Sequence, residues 1–355
     1  MRIDDHERLT FCSNDYLGLA ADPRLAEAMC AGARQYGTGA GAAHLINGHF
    51  TPHERLEQEL AEWLDVASAR LFSTGYMANL GVVGSLVGRG DTVIADRLNH
   101  ASLVDAVQLS GARLSRYRHR DLDDLEARVS RARGERLILT DGVFSMDGDT
   151  APLAELVELA ERFDAWLVVD EAHAFGVLGE QGRGSFEAAG LVPGERVLRV
   201  GTLGKAFGTA GAFVAGAAEP LEVLLQRART YLFTTAQPPA VAEASRAALS
   251  IVRSEGWRRE RLQGLIRGFR DATAALAGLE LMPSSTPIQP LVVGEASRAV
   301  GMAERLAQSG LLVPAIRPPT VPRGGSRLRV TFSAAHSEGD VRQLLSALQE
   351  CTTLE

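Results

Sequence analysis

Lysine is almost absent from this chain. Of 37 basic residues one, Lys205, is lysine and the others are arginine. Cysteine is scarce as well: Cys12, Cys30 and Cys351 are odd in number and widely spaced. That excludes a disulfide framework, offers no zinc-ligand spacing, and fits a reducing cytoplasm. No apolar run approaches the roughly 18 to 20 residues needed to span a bilayer, so no membrane partner is expected. The opening Met1-Arg2-Ile3-Asp4-Asp5 lacks the basic-then-apolar order of a secretory signal. A basic excess is missing too. With a net charge of -7 the chain has nothing to neutralise phosphates in bulk, which excludes nucleic acid as a partner. What is present is 355 residues, 46% hydrophobic and 23% charged, the profile of a globular enzyme-sized protein. That length suits a large α/β domain followed by a smaller one.

A genome rich in arginine codons explains the trend away from lysine but not the exception. Arginine replaces lysine as a surface cation, yet its guanidinium stays protonated and cannot form an imine. A desolvated lysine amine can lose its proton and attack a carbonyl carbon. The retained lysine therefore points to chemistry.

Short apolar runs alternate with helical patterns from about Ala69 to Gly216, the mark of a mostly parallel sheet with crossover helices. The runs predict strands at Arg70–Ser73, Thr92–Ala95, Leu137–Thr140, Trp166–Val169, Val197–Val200 and Ala212–Ala215. Thr51-Pro52-His53-Glu54 reads as a capping box opening a helix. Leu56, Leu60, Trp63 and Leu64 then give that helix one buried face. Beyond Tyr231 a long arginine- and alanine-rich helical stretch follows Pro238-Pro239. Short strands near Ile288–Val293 and Arg327–Phe332 come next, with a last helix from about Ser337. The expected division is an N-terminal segment 1–34, a large domain 35–235, and a connecting helix with a C-terminal α/β domain 236–355.

In open parallel sheets ligands sit beyond the carboxyl ends of the strands. The first strand is followed by Ser73-Thr74-Gly75-Tyr76, a turn opening a helix whose free amides suit a phosphate. The others deliver Asn99-His100, then Asp141 to Ser145, then Asp170-Glu171-Ala172-His173, then Gly201-Thr202-Leu203-Gly204-Lys205. One rim thus collects two histidines, acids, hydroxyls and the only lysine. Taken singly, each has a bland reading: a strand-end histidine is more often a structural hydrogen-bonder, and Asp141 alone would be a turn residue. His44, His49 and His119 keep that bland reading. The DEAH string of Asp170–His173 also occurs in helicases, but those need a phosphate loop ending Gly-Lys-Ser/Thr, and Ala206 follows Lys205 here.

Asn14-Asp15-Tyr16-Leu17-Gly18-Leu19, Thr140 to Gly148, Asp170 to His173 and Thr202 to Lys205 together resemble the signatures of the α-oxoamine synthases. These are pyridoxal-phosphate enzymes of the aspartate-aminotransferase-like fold (fold type I), and the match runs over nearly the whole chain. The resemblance implies that Lys205 carries the cofactor through a carbon–nitrogen double bond. It implies that Asp170 pairs with the pyridine nitrogen, that His100 stacks on the ring, and that His173 bonds the ring oxygen with Ser145 and Asp141 nearby. Gly75, Tyr76 and Thr202 would serve the phosphate, and Thr235 would complete the phosphate cup of a partner subunit, implying a homodimer. Arg329 would clamp the substrate carboxylate, assisted by Asn14, with Thr320 at a substrate-contacting position. No metal is expected.

Ile316 to Pro322, Ile288 to Leu291 and Gly179 to Gly184 resemble the member that condenses L-alanine with a pimeloyl thioester, carried on coenzyme A or acyl-carrier protein. Other members, of the glycine C-acetyltransferase, 5-aminolevulinate synthase and serine palmitoyltransferase types, share the lysine chemistry. They differ in amino acid and acyl length. A catalytically inactive scaffold subunit is a further alternative, but it would be expected to lack the lysine. In the family a longer segment with an arginine near the acyl substrate usually precedes the Asn14 motif. Gly39 to His44 also places histidine where many relatives have arginine or glycine.

Overall fold

The structure, a computed structural model, describes residues 2–3, 6–274 and 279–353. The chain divides into two compact units. The larger comprises residues 19–144 and 150–256; the smaller comprises 1–18, 145–149 and 257–355.

The larger unit is built on a seven-stranded sheet. Its strands, in spatial order, are Ser68–Phe72, Ala212–Gly216, Val197–Thr202, Trp166–Asp170, Arg136–Asp141, Thr92–Asp96 and Arg113–Tyr117. Ala212–Gly216 runs antiparallel to both neighbours, and the other strand pairs are parallel. The five strands expected to deliver site residues therefore end on the same rim. Burial on both faces explains why their sequences are continuous apolar runs rather than alternating ones. Val93, Leu137, Leu139, Val168 and Val200 enter one core with the helices Gly75–Leu86 and Ala101–Ser110. Ile94, Ile138, Leu167 and Val169 enter the other with Leu122–Val129 and Leu153–Arg162.

All six expected strands are present. A seventh, Arg113–Tyr117, is additional to them. It is the sheet edge, where Arg113-Leu114-Ser115-Arg116-Tyr117 carries too few apolar residues to stand out. The helix Thr51–Leu64 buries Leu56, Leu60, Trp63 and Leu64 as expected. Its cap is a correction: Phe50 holds the N-cap position and His53 Nδ1 accepts the Phe50 amide at 2.9 Å, so neither Thr51 nor Glu54 forms the box.

The smaller unit carries a four-stranded antiparallel sheet in the order Glu280–Leu281, Ile288–Gly294, Ser326–Thr331, Ala315–Ile316. The helices Trp257–Ala274, Ala296–Gln308 and Glu338–Thr353 accompany it. Leu9–Thr10 pairs in parallel with Leu311–Leu312, which ties the Asn14 segment to this unit. The units are thus drawn differently from the expected division. The helix Pro239–Ser254 groups with the larger unit, and residues 1–18 group with 257–355.

Candidate active site

Lys205 lies three residues past the end of the Val197–Thr202 strand, half-buried, its Nζ 2.8 Å from His173 Nε2. His173 follows the neighbouring strand, so two adjacent parallel strands set this contact. Asp170, the last residue of that strand, is 6% exposed. Its carboxylate accepts from Asn79 Nδ2 at 2.7 Å and from the Ala172 amide at 2.9 Å, both neutral donors. Asp141 stands opposite it in register on the next strand and accepts the His100 amide at 2.8 Å. Burial and the charge of Asp170 hold the Asp141 carboxyl well above the usual carboxylate range, against the pull of the His100 amide and Lys205. Among the described residues no cation stands within salt-bridge distance of either acid.

Asn79 and Ser102 belong to the site although no sequence motif singles them out. Both are 1% exposed. The Asn79 amide donates to Asp170 and, at 2.9 Å, to Ser102 Oγ. Ser102 Oγ is in turn 2.8 Å from His100 Nδ1, which also accepts the Ser102 amide. With Nδ1 an acceptor, the neutral imidazole of His100 carries its proton on Nε2. A four-residue relay therefore links the strand-end acid to the exposed histidine capping Ala101–Ser110. The one signal in the sequence is a lone asparagine in the first turns of an otherwise apolar helix, Gly75–Leu86.

Thr74 takes the Met77 amide with its hydroxyl and the Ala78 amide with its carbonyl, leaving the Gly75 and Tyr76 amides without a partner among the described residues. Tyr76 is exposed and donates to Asp105. Thr202 donates its hydroxyl to the Gly211 carbonyl at 3.2 Å and accepts the Gly204 amide, so its proton is committed within the fold. Thr235 is exposed, bridged through its backbone to Ala43.

In the smaller unit Arg327 and Arg329 point from one strand with different partners. Arg327 meets the Asp147 carboxylate at 2.6 Å. Arg329, 6% exposed, donates to the Ser145 carbonyl at 2.6 Å, to Thr331 Oγ1 at 3.0 Å and to Asn14 Oδ1 at 3.5 Å. Among the described residues no carboxylate pairs with it. Ser145 thus meets Arg329 through its backbone. Thr320 is exposed in a turn, its amide on the Arg317 carbonyl.

The three histidines His44, His49 and His53 form a packed cluster in the larger unit. His44 Nδ1 is 2.8 Å from His49 Nδ1, and His44 stacks on Tyr231. The ligand atoms of the trio lie within 4.8 Å of one another. His53, however, accepts from Phe50 and donates to the Gln237 carbonyl at 2.9 Å, so both its nitrogens are committed. Burial lowers His44 to about 3 and His53 to about 4, each with help from a neighbouring imidazole.

Residues 7–348 match the family model for aminotransferase class I and II. The chain belongs to that family. An 8-amino-7-oxononanoate synthase of Thioalkalivibrio sulfidiphilus is 58% identical over 98% of this chain and 88% of the relative. A solved SPT structure with pyridoxal phosphate superposes with a TM-score of 0.95 at 32% identity, over 99% of this chain and 89% of the other. The 8-amino-7-oxononanoate synthase of Francisella tularensis superposes with a TM-score of 0.86 at 31% identity, over 98% of each chain. Within the family the chain is an α-oxoamine synthase of the aspartate-aminotransferase-like fold, and its cofactor is pyridoxal phosphate.

The residues present fit that cofactor. A buried carboxylate held by neutral donors suits a protonated ring nitrogen. The amine of the single lysine suits an aldehyde carbon, and amides unpartnered among the described residues at a helix start suit a phosphate. A Cβ on Gly75 would meet nothing nearer than Thr202 at 4.0 Å, so the turn has room. Among the described residues no helix is long and apolar enough to cross a membrane.

Proposed function

We infer that this chain condenses L-alanine with a pimeloyl thioester to give 8-amino-7-oxononanoate, carbon dioxide and free thiol, a step of biotin biosynthesis. The observation that carries this is 58% identity to an 8-amino-7-oxononanoate synthase over 98% of this chain and 88% of the relative. Two features support it separately: in the larger unit the Asp170 carboxylate is held by neutral donors, and in the smaller unit Arg329 is held by neutral oxygens. When bound, the cofactor supplies an electron sink for the pair left on the alanine Cα.

The chain's own residues do the rest. Arg329, held by neutral oxygens, is free to give its charge to the alanine carboxylate through two parallel hydrogen bonds. Lys205 removes the Cα proton, with His173 at 2.8 Å orienting its amine. Asp170, its carboxylate fixed by Asn79, would pair with the ring nitrogen and favour its protonated form. His100, its Nδ1 occupied by Ser102, presents an Nε2 proton to the thioester carbonyl. The new C–C bond forms as the thiolate leaves. Loss of carbon dioxide then returns an electron pair to Cα, which a proton from Lys205 quenches. The Gly75 and Tyr76 amides would hold the phosphate, and exposed Thr235 would serve the phosphate of the partner subunit in a homodimer.

The test is direct. The purified enzyme is given alanine, glycine or serine with pimeloyl-CoA or pimeloyl acyl-carrier protein, and thiol and product mass are followed. Alanine with at least one pimeloyl carrier should give thiol and the expected product mass in equal amounts. Turnover with glycine or serine in place of alanine would reassign the chain within the family.

A further inference from the structure

Glu171 lies between Asp170 and His173 and has no part in the chemistry above. It is 0% exposed, and its carboxylate accepts four hydrogen bonds, the full complement for its two oxygens. Arg199 Nε and Nη2 each reach Oε1 at 3.1 Å. The Ser185 amide at 2.9 Å and hydroxyl at 2.6 Å reach Oε2. Arg199 is 2% exposed, sits between the rings of Phe175 and Phe186 at 4.6 and 4.9 Å, and also donates to the Arg183 carbonyl.

Four segments meet at this one carboxylate. The strand Val197–Thr202 brings Arg199, six residues before Lys205. The strand Trp166–Asp170 brings Glu171 itself, whose amide donates to the Val200 carbonyl at 2.8 Å. Gly142, directly after Asp141, lies so close that a Cβ there would stand 3.1 Å from Glu171 Oε2 and 3.0 Å from Ser185 Oγ. Gly184, at φ +90°, would place a Cβ 2.9 Å from the same oxygen. Each of the three central strands carries a site residue within a few positions of the contact: Asp141, then Asp170 and His173, then Lys205.

We propose that the buried Glu171–Arg199 pair is a positioning device that sets Asp170 and His173 against Lys205, and that Glu171 and Arg199 are positioning residues for the reaction. The inference rests on the roles given above to Asp170, His173 and Lys205. A buried ion pair is seldom a net source of stability, and apolar residues of similar volume commonly replace one at no loss. A scaffold role and a positioning role therefore separate cleanly. The backbone bond from Glu171 to Val200 keeps the strands adjacent whatever the side chain, whereas the carboxylate ties their ends to Arg199 and to the turn at Ser185.

The variants are Glu171→Gln, Arg199→Met and the double Glu171→Leu/Arg199→Met, compared with the wild-type holoenzyme. Melting temperature, cofactor dissociation, the pH midpoint of the bound cofactor's visible absorbance, kcat and alanine KM are measured. The double variant should regain the melting temperature lost in Arg199→Met. Its kcat should stay down on the order of ten- to a hundredfold, the cost of a misplacement of up to an ångström. Its absorbance midpoint should stay displaced, with alanine KM nearly unchanged. Recovery of kcat and midpoint together with the melting temperature would overturn the proposal. Should the double variant not fold, Glu171→Gln decides alone, because it keeps the shape and loses the charge: wild-type kcat and midpoint in it overturn the idea. If wild-type protein fails to perform the condensation, the functional reading falls, while the absorbance midpoint and cofactor dissociation still judge the pair.

Discussion

The rim of the larger sheet and the Ser326–Thr331 strand of the smaller unit both bury charge, and of opposite sign. At the rim the Asp170 carboxylate accepts only from neutral donors, and in register beside it burial and that charge hold the Asp141 carboxyl toward its protonated form, against the pull of Lys205. On the strand a guanidinium, Arg329, is held only by neutral oxygens. Each unit also buries a charge that is fully paired: Glu171 with Arg199, and Arg327 with Asp147. An unpaired buried charge is costly and persists where a ligand supplies the counter-ion; a paired one belongs to the framework. On the proposed reading the contrast separates the charged positions that would meet ligands from those that belong to the framework.

The hardest way to break this division is at the amine. Lys205→Arg keeps a cation of similar reach but cannot form an imine, so activity should fall by about ten-thousand-fold and the bound cofactor's visible band should vanish. Absorbance spectra and a thiol-release assay check both. An active, coloured variant would remove the basis for every role assigned at the rim. Next comes Asp170→Asn, expected to lower kcat by roughly a hundred- to a thousandfold, since on the proposed role it deletes the preorganised charge that would pair with the ring nitrogen.

The two arginines sharpen the comparison within a single strand. Arg329→Ala should raise alanine KM roughly ten- to a hundredfold, the worth of a lost charge-assisted hydrogen bond or two. Its melting temperature should hold or rise, because an uncompensated cation has gone. Arg327→Ala should do the reverse, leaving KM nearly untouched while the stranded Asp147 lowers stability. Paired thermal scans and alanine titrations decide it, and equal behaviour of the two would erase the distinction. A smaller effect is expected of Asn79→Ala: about a tenfold loss of kcat through a disordered Asp170 carboxylate and a His100 free to change tautomer.

Much of this architecture is legible in the amino-acid sequence, and the gaps have physical causes. Continuous apolar runs announce the buried strands because both faces are covered; Arg113–Tyr117 is silent because an edge strand needs no such run. Lys205, Asp170, His173 and His100 are readable because parallel topology sends strand ends to one rim. Asn79, Ser102 and the Glu171–Arg199 contact are not, since each depends on side chains many positions apart meeting in space. The His53 cap is hidden for a simpler reason: imidazole is an uncommon substitute for the usual hydroxyl and carboxylate pair.

The smallest effect concerns pH and the histidine cluster. His44 faces His49, His53 and Tyr231, with buried Glu57 acting on Tyr231 close by. Its ordinary value of 6.5 drops to about 3 in the folded chain. Below pH 6.5 the unfolded chain therefore binds a proton that the folded chain refuses, and stability is lost as pH falls from 6.5 toward 3. Glu57 works the other way. Burial raises it from 4.5 to about 7, so the folded chain keeps a proton that the unfolded one sheds, and stability is lost as pH rises from 4.5 to 7. His44→Phe keeps the stacking partner for Tyr231 and removes the acid-sensitive group. Between pH 6.5 and 4.5 its melting temperature should fall less than that of the wild type, by roughly a few degrees, while Glu57→Gln should steepen the wild-type fall. Parallel slopes for all three proteins would mean that the cluster is solvated enough to titrate normally, and that its packing does not govern acid stability.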